Sequence, residues 1–121
     1  MNLKKMLALA AAAAMTLSLA SCSSGKKVAS VEDLAGARIG VQLGTTGDIY
    51  IEGDIEKGIF EGATLEKYSK GIDAIQALKQ NKLDAVVIDN EPAKAFVAQN
   101  DDLTLLETPY TEEEYAICVA K

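Results

Sequence analysis

The chain has 121 residues, 18 acidic against 12 basic side chains for a net charge of −6, no histidine, no tryptophan, and two cysteines at opposite ends. Without histidine, His-based catalysis is excluded, and two distant cysteines make no Cys/His cluster with zinc spacing, so no metal and no cofactor are expected. The acidic balance argues against nucleic acid, whose phosphates need clustered Lys and Arg.

Residues 1–21 read as a signal peptide: a positive start at Asn2 to Lys5, an uncharged Ala/Leu/Met run from Met6 to Leu19, and small residues at Ala20 and Ser21. That run is 14 residues, whereas a membrane-spanning helix needs about 20. No twin arginine is present, so Sec export is expected. Leu19-Ala20-Ser21-Cys22 resembles the lipobox of bacterial lipoproteins, which implies that Cys22 is the lipidated (palmitate-bearing) first residue of the mature chain; the competing reading is an ordinary free cysteine. Removing the signal takes away Lys4 and Lys5, so the remaining 100 residues carry a net charge of −8 and suit one compact domain. Cys22 to Ser30 is polar and small and reads as a flexible tether.

From Val31 to Lys121 the chain alternates in kind. Ala37 to Gln42 is a short apolar strand, Thr46 to about Lys57 a helix, and Ala63 to Tyr68 a second strand. Gly71 to Gln80 is predicted as an amphipathic helix with Ile72, Ile75 and Leu78 inward, followed by Asn81 at a left-handed cap. Asp84 to Asp89 is a strand apolar on both faces, as a central parallel strand is. Glu91 to about Gln99 is a helix with Pro92 in its first turn, and Leu103 to Leu106 and Tyr115 to Ala120 are two further strands, the last holding Cys118 as a small core residue. The fold class is therefore α/β, a mostly parallel sheet with helices on both faces. In such sheets ligands bind outside the carboxyl ends of the strands.

Two loops lie at that edge. At Gly44-Thr45-Thr46-Gly47 a strand turns into a helix, leaving N–H groups without intrahelical partners and a positive helix end, which suits an anion such as a carboxylate; a threonine that simply caps its helix is the competing reading. The loop is neither a P-loop nor a dinucleotide fingerprint. At the end of the third strand Asp89 is able to receive an ammonium group, or else to cap the helix that follows. An anion seat and a carboxylate at neighbouring strand ends match the two charges of an amino-acid zwitterion.

The stretches SVEDLAGARIGVQLGTTGD, YSKGIDAIQALKQNKLDAVVIDNEPA and TPYTEEEYAI resemble the second lobe of polar amino-acid ABC-transporter substrate-binding proteins, the extracellular solute-binding family 3. The resemblance implies one lobe of a periplasmic-binding-protein type II fold, in which Gly44, Thr45 and Thr46 bind the ligand α-carboxylate and Asp89 its α-ammonium. It also implies an ABC permease and ATPase as partners, and an exported protein held by its lipid at the outer face of the membrane or in the periplasm. Family members run about twice this length, with a first lobe that supplies an arginine and aromatic rings to the ligand. A half-site is thus expected here, with weak binding. Two other readings stay open: a dehydratase-like enzyme on the same fold, with Asp89 and Glu91 as acids, or a remnant without activity. A final expectation concerns the sheet: with no first lobe to enter, Tyr115 to Ala120 folds back antiparallel between the third and fourth strands, reversing through Thr111 to Glu114 and burying Ile117 or Cys118.

Overall fold

The computed structural model describes residues 25–106, 110 and 115–121. The signal peptide, Cys22 and the Thr111 to Glu114 reversal lie outside the described residues. A short 3-10 turn, Val31–Leu34, precedes β1 (Arg38–Gln42), α1 (Thr46–Glu56), β2 (Thr64–Tyr68), α2 (Gly71–Lys79), β3 (Ala85–Asp89), α3 (Asn90–Gln99), β4 (Leu103–Leu105) and β5 (Tyr115–Ala120). Every predicted element is present, with ends within about two residues of expectation.

The five strands form one sheet in the order β2-β1-β3-β5-β4. β1 runs parallel to both β2 and β3, whereas β5 lies antiparallel between β3 and β4, with Val87 opposite Ile117 and Thr104 opposite Val119. The expected fold-back is therefore the observed topology, and both Ile117 and Cys118 are fully buried. β3 takes the centre because Ala85 to Ile88 offers apolar side chains to both faces, which only a strand covered on both sides can bury.

Alternation along the strands sorts the core into two layers. Ile39, Val41, Ala85, Val87, Ile117 and Val119 pack with Ile51 of α1 on one face, together with Leu34 and Val28. Val86, Ile88, Ala116 and Cys118 pack with Ala74, Ile75, Ala77 and Leu78 of α2 and Ala93 of α3 on the other. Helices thus cover both faces, as predicted.

Two local expectations are corrected. Ile72 of α2 is exposed while Ala74 and Ala77 are buried, because three-residue steps drift around a helix by about 60° each time and the inward stripe runs instead through i, i+3 and i+4 positions. The part of the tether that is described, Gly25 to Ser30, does not hang free: Val28 is buried, the Lys26 N–H donates to Asp84, and the Ala29 and Ser30 N–H groups donate to Asp33 Oδ2 at 3.0 and 3.2 Å. One apolar side chain among polar neighbours, given a carboxylate for the backbone on either side, suffices to dock the segment.

Candidate functional site

The Gly44 to Gly47 loop and Asp89 share the carboxyl edge of the sheet. β1 and β3 are hydrogen-bonded neighbours with Val41 level with Val87, so the turn that follows β1 and Asp89 at the end of β3 leave the sheet at the same edge. By strand alternation Asp89 has the parity of Ala85 and Val87, the face that α1 covers. The start of α1 lies close over β3: a Cβ placed on Gly47 would sit 3.6 Å from the Val87 carbonyl oxygen and from its Cγ1. The anion end of α1 and the Asp89 carboxylate therefore belong to one surface.

The loop is built by its own side chains. Gly44 turns the chain with φ of 77°, a conformation that favours glycine. Thr45 is the N-cap of α1; its hydroxyl accepts the Asp48 N–H at 3.3 Å and donates to the Gln42 carbonyl at 2.7 Å. The Gly44 N–H donates to Asp48 Oδ2 at 2.9 Å, and the Thr45 N–H to the Gln42 carbonyl. Gly44 and Thr45 thus have their donors engaged within the protein, and the capping role foreseen as the competing reading of the threonines belongs to Thr45. The Thr46 hydroxyl and the N–H groups of Thr46 and Gly47 have no acceptor among the described residues. They are donors without an intrahelical partner at the positive end of α1, on half-buried Thr46 and buried Gly47.

Asp89 resolves differently. It occupies the N-cap position of α3, yet its side chain makes no capping hydrogen bond and is exposed. Glu91, the other carboxylate considered for acid chemistry, is exposed on the first turn of α3 and pairs with Lys94 at 3.2 Å.

Asp48 is the residue that sequence reasoning missed. It is 4 % exposed, its Oδ1 lies 3.0 Å from the Lys67 ammonium of β2, and Lys67 also meets Glu52 at 3.0 Å. Burial alone would raise the Asp48 pKa; the Gly44 N–H and Lys67 outweigh it and hold the carboxyl below its ordinary value. The available signal was the T-x-x-D spacing of Thr45 and Asp48, a capping-box pattern. Nothing in the sequence pointed to Lys67, which comes from another strand. Among the described residues no group of His, Cys, Asp or Glu is arranged to hold a metal.

No family model matches the chain. Among curated proteins it is 41 % identical over 71 residues to a probable histidine-binding protein of Campylobacter jejuni, covering 59 % of this chain and 25 % of that one. It is 32 % identical over 89 residues to the arginine-binding extracellular protein ArtP of Bacillus subtilis, covering 74 % and 34 %. Among solved structures, domain 2 of the ArgBP from T. maritima superimposes with a TM-score of 0.54 at 38 % identity, over 67 % of this chain and 82 % of that domain. The chain belongs to the family 3 extracellular solute-binding proteins. It spans a quarter to a third of the length of the curated relatives it matches, and its described part corresponds to the second lobe of the family's type II binding-protein fold. The relatives are named as binding proteins and not as enzymes. Within the family 3 frame, the unpaired donors of Thr46 and Gly47 and the uncommitted Asp89 are the candidate contacts, while Gly44 and Thr45 shape the loop that presents them.

Proposed function

We propose that this chain is the second-lobe part of an amino-acid-binding component of an ABC transporter, holding a polar amino acid by its two backbone charges. The carrying observation is Asp89: an aspartate placed at a helix N-cap normally bonds the first turn, and here the carboxylate caps nothing and stands exposed beside the start of α1. In this reading Asp89 receives the α-ammonium, and the Gly44-Thr45-Thr46 loop receives the α-carboxylate, Thr46 directly and Gly44 and Thr45 through the turn they build. The neighbours named for histidine and arginine binding favour a polar, cationic ligand. The name of ArtP as an extracellular protein supports export, with Cys22 as the lipid anchor at the membrane surface and a permease and ATPase as transport partners. No helix among the described residues is long and apolar enough to cross a membrane.

Because the site faces water, each charge contact contributes about 0–1 kcal/mol, and this chain alone is expected to bind in the millimolar range, roughly 4 kcal/mol. Calorimetry or NMR titration with a panel of polar amino acids tests the reading: arginine or histidine shifting the Thr46 amide in the wild type, and not in Asp89→Ala, supports it. Equal binding by both proteins would remove Asp89 from the site. The anchor is tested separately by membrane fractionation of cells, where Cys22→Ala is expected to leave the membrane fraction.

A further inference from the structure

The loop is seated on an ion pair between a buried carboxylate and a solvent-exposed lysine, and its two members come from different elements. Asp48 is in the first turn of α1; Lys67 reaches it from β2, the edge strand beyond β1. The Asp48 side chain is 5 % exposed, and Oδ1, apart from facing the Lys67 ammonium at 3.0 Å, has no hydrogen bond of good geometry. In a simple capping box the acid at the third helical position reaches back to the N–H of the cap residue itself. Here it passes Thr45 and takes the N–H of Gly44, so it fixes the turn and not only the helix end.

We propose that Asp48 and Lys67 are positioning residues for the ligand carboxylate: Asp48 sets the turn by engaging the Gly44 N–H, and Lys67 cancels the negative charge this places beneath the anion seat. This rests on the amino-acid reading above and refines it. A carboxylate built into the first turn of α1 uses up part of the positive helix end and repels a second carboxylate arriving at the same donors. Lys67 removes that repulsion without itself touching the ligand. Glu52, exposed and bonded to Lys67 at 3.0 Å, holds the ammonium from the solvent side. The donors left for the ligand are then the Thr46 and Gly47 N–H groups and the Thr46 hydroxyl, one residue further along than the Gly-Thr-Thr resemblance implies for its first member.

The test uses the full chain, isotopically labelled, titrated with arginine while the amides of Gly44, Thr46 and Gly47 are followed by NMR. Thr46 and Gly47 are expected to move and Gly44 to move least. Lys67→Gln is expected to weaken binding about fivefold, with the loss shrinking in high salt. The paired variant Lys67→Gln with Asp48→Asn, whose amide oxygen still accepts the Gly44 N–H, is expected to recover wild-type affinity to within about twofold, and Asp48→Asn alone to bind more tightly than the wild type. Lys82→Gln, which removes one exposed positive charge elsewhere on the surface, serves as the control for net charge and is expected to change little. Wild-type binding by Lys67→Gln, failure of the paired variant to recover, or Gly44 as the amide that moves most would overturn this inference while leaving the amino-acid reading intact. No amide movement in the wild type at any arginine concentration would overturn both.

Discussion

Asp84, just before β3, collects four donors: the Lys26 N–H at 2.9 Å, the Arg38 N–H at 2.8 Å, and the Arg38 guanidinium through Nε at 3.1 Å and Nη2 at 2.8 Å. Burial pushes its carboxyl up, but the Arg38 contacts outweigh this and its pKa lies below the ordinary value of 3.8. The sign follows directly: a depressed folded-state pKa gives stability that is complete above the unfolded value and is lost as pH falls through the folded one. Asp84→Ala strands the part-buried Lys26 and Arg38 backbone N–H groups together with the Arg38 guanidinium and is expected to cost about 2–4 kcal/mol. That corresponds to a fall in Tm of roughly 10 °C or more for a domain of this size. Urea unfolding at pH 7 and at pH 3 checks both parts. The gap between wild type and Asp84→Ala is expected to narrow at the lower pH, and an unchanged gap would mean the carboxylate charge is not what stabilises the junction.

At the scale of elements, turn chemistry was the most legible part of the sequence. Asn81 was expected in a left-handed conformation after α2, and its φ is 60°. Asn81→Gly is expected to hold or raise stability, and Asn81→Val to lower it by about 1–2 kcal/mol, since a β-branched side chain pays the full left-handed strain; thermal melts of the two variants check this. β3 was legible for a similar reason, since an unbroken run of Ala85 to Ile88 has no stable place except the middle of a covered sheet. What stayed illegible depends on partners distant in sequence. α1 buries only Gly47, Asp48 and Ile51, a pattern no periodicity reveals, and Lys67 reads along β2 as an ordinary solvent-facing edge residue, with nothing local to show that Asp48 of α1 meets it. The docking of Val28 was hidden likewise, since a single valine in a polar stretch carries no period at all.

For the molecule as a whole, the antiparallel β5 joins the two core layers, with Ile117 in one and Cys118 in the other. Ile117→Ala is expected to destabilise by about 2–5 kcal/mol, as read by chemical denaturation, whereas a substitution at exposed Ile49 is expected to stay within about 0.5 kcal/mol. Burial raises the Cys118 thiol pKa to about 11, so a thiol reagent at pH 8 should label it only as fast as the domain opens. Rapid labelling in native buffer would show that β5 detaches readily. The placement of this strand also sets an order of events during synthesis. β4 has no neighbour in the sheet except β5, and β3 has β5 on one whole side. Until residues 115–120 have left the ribosome or the export channel, β1, β2 and β3 can associate, but β4 has nothing to pair with and the Val86 and Ile88 layer lacks Ala116 and Cys118. Completion of the domain therefore waits for residues 115–120 to appear, and a nascent chain paused before Tyr115 is the form most exposed to proteases and to pairing with the wrong strand.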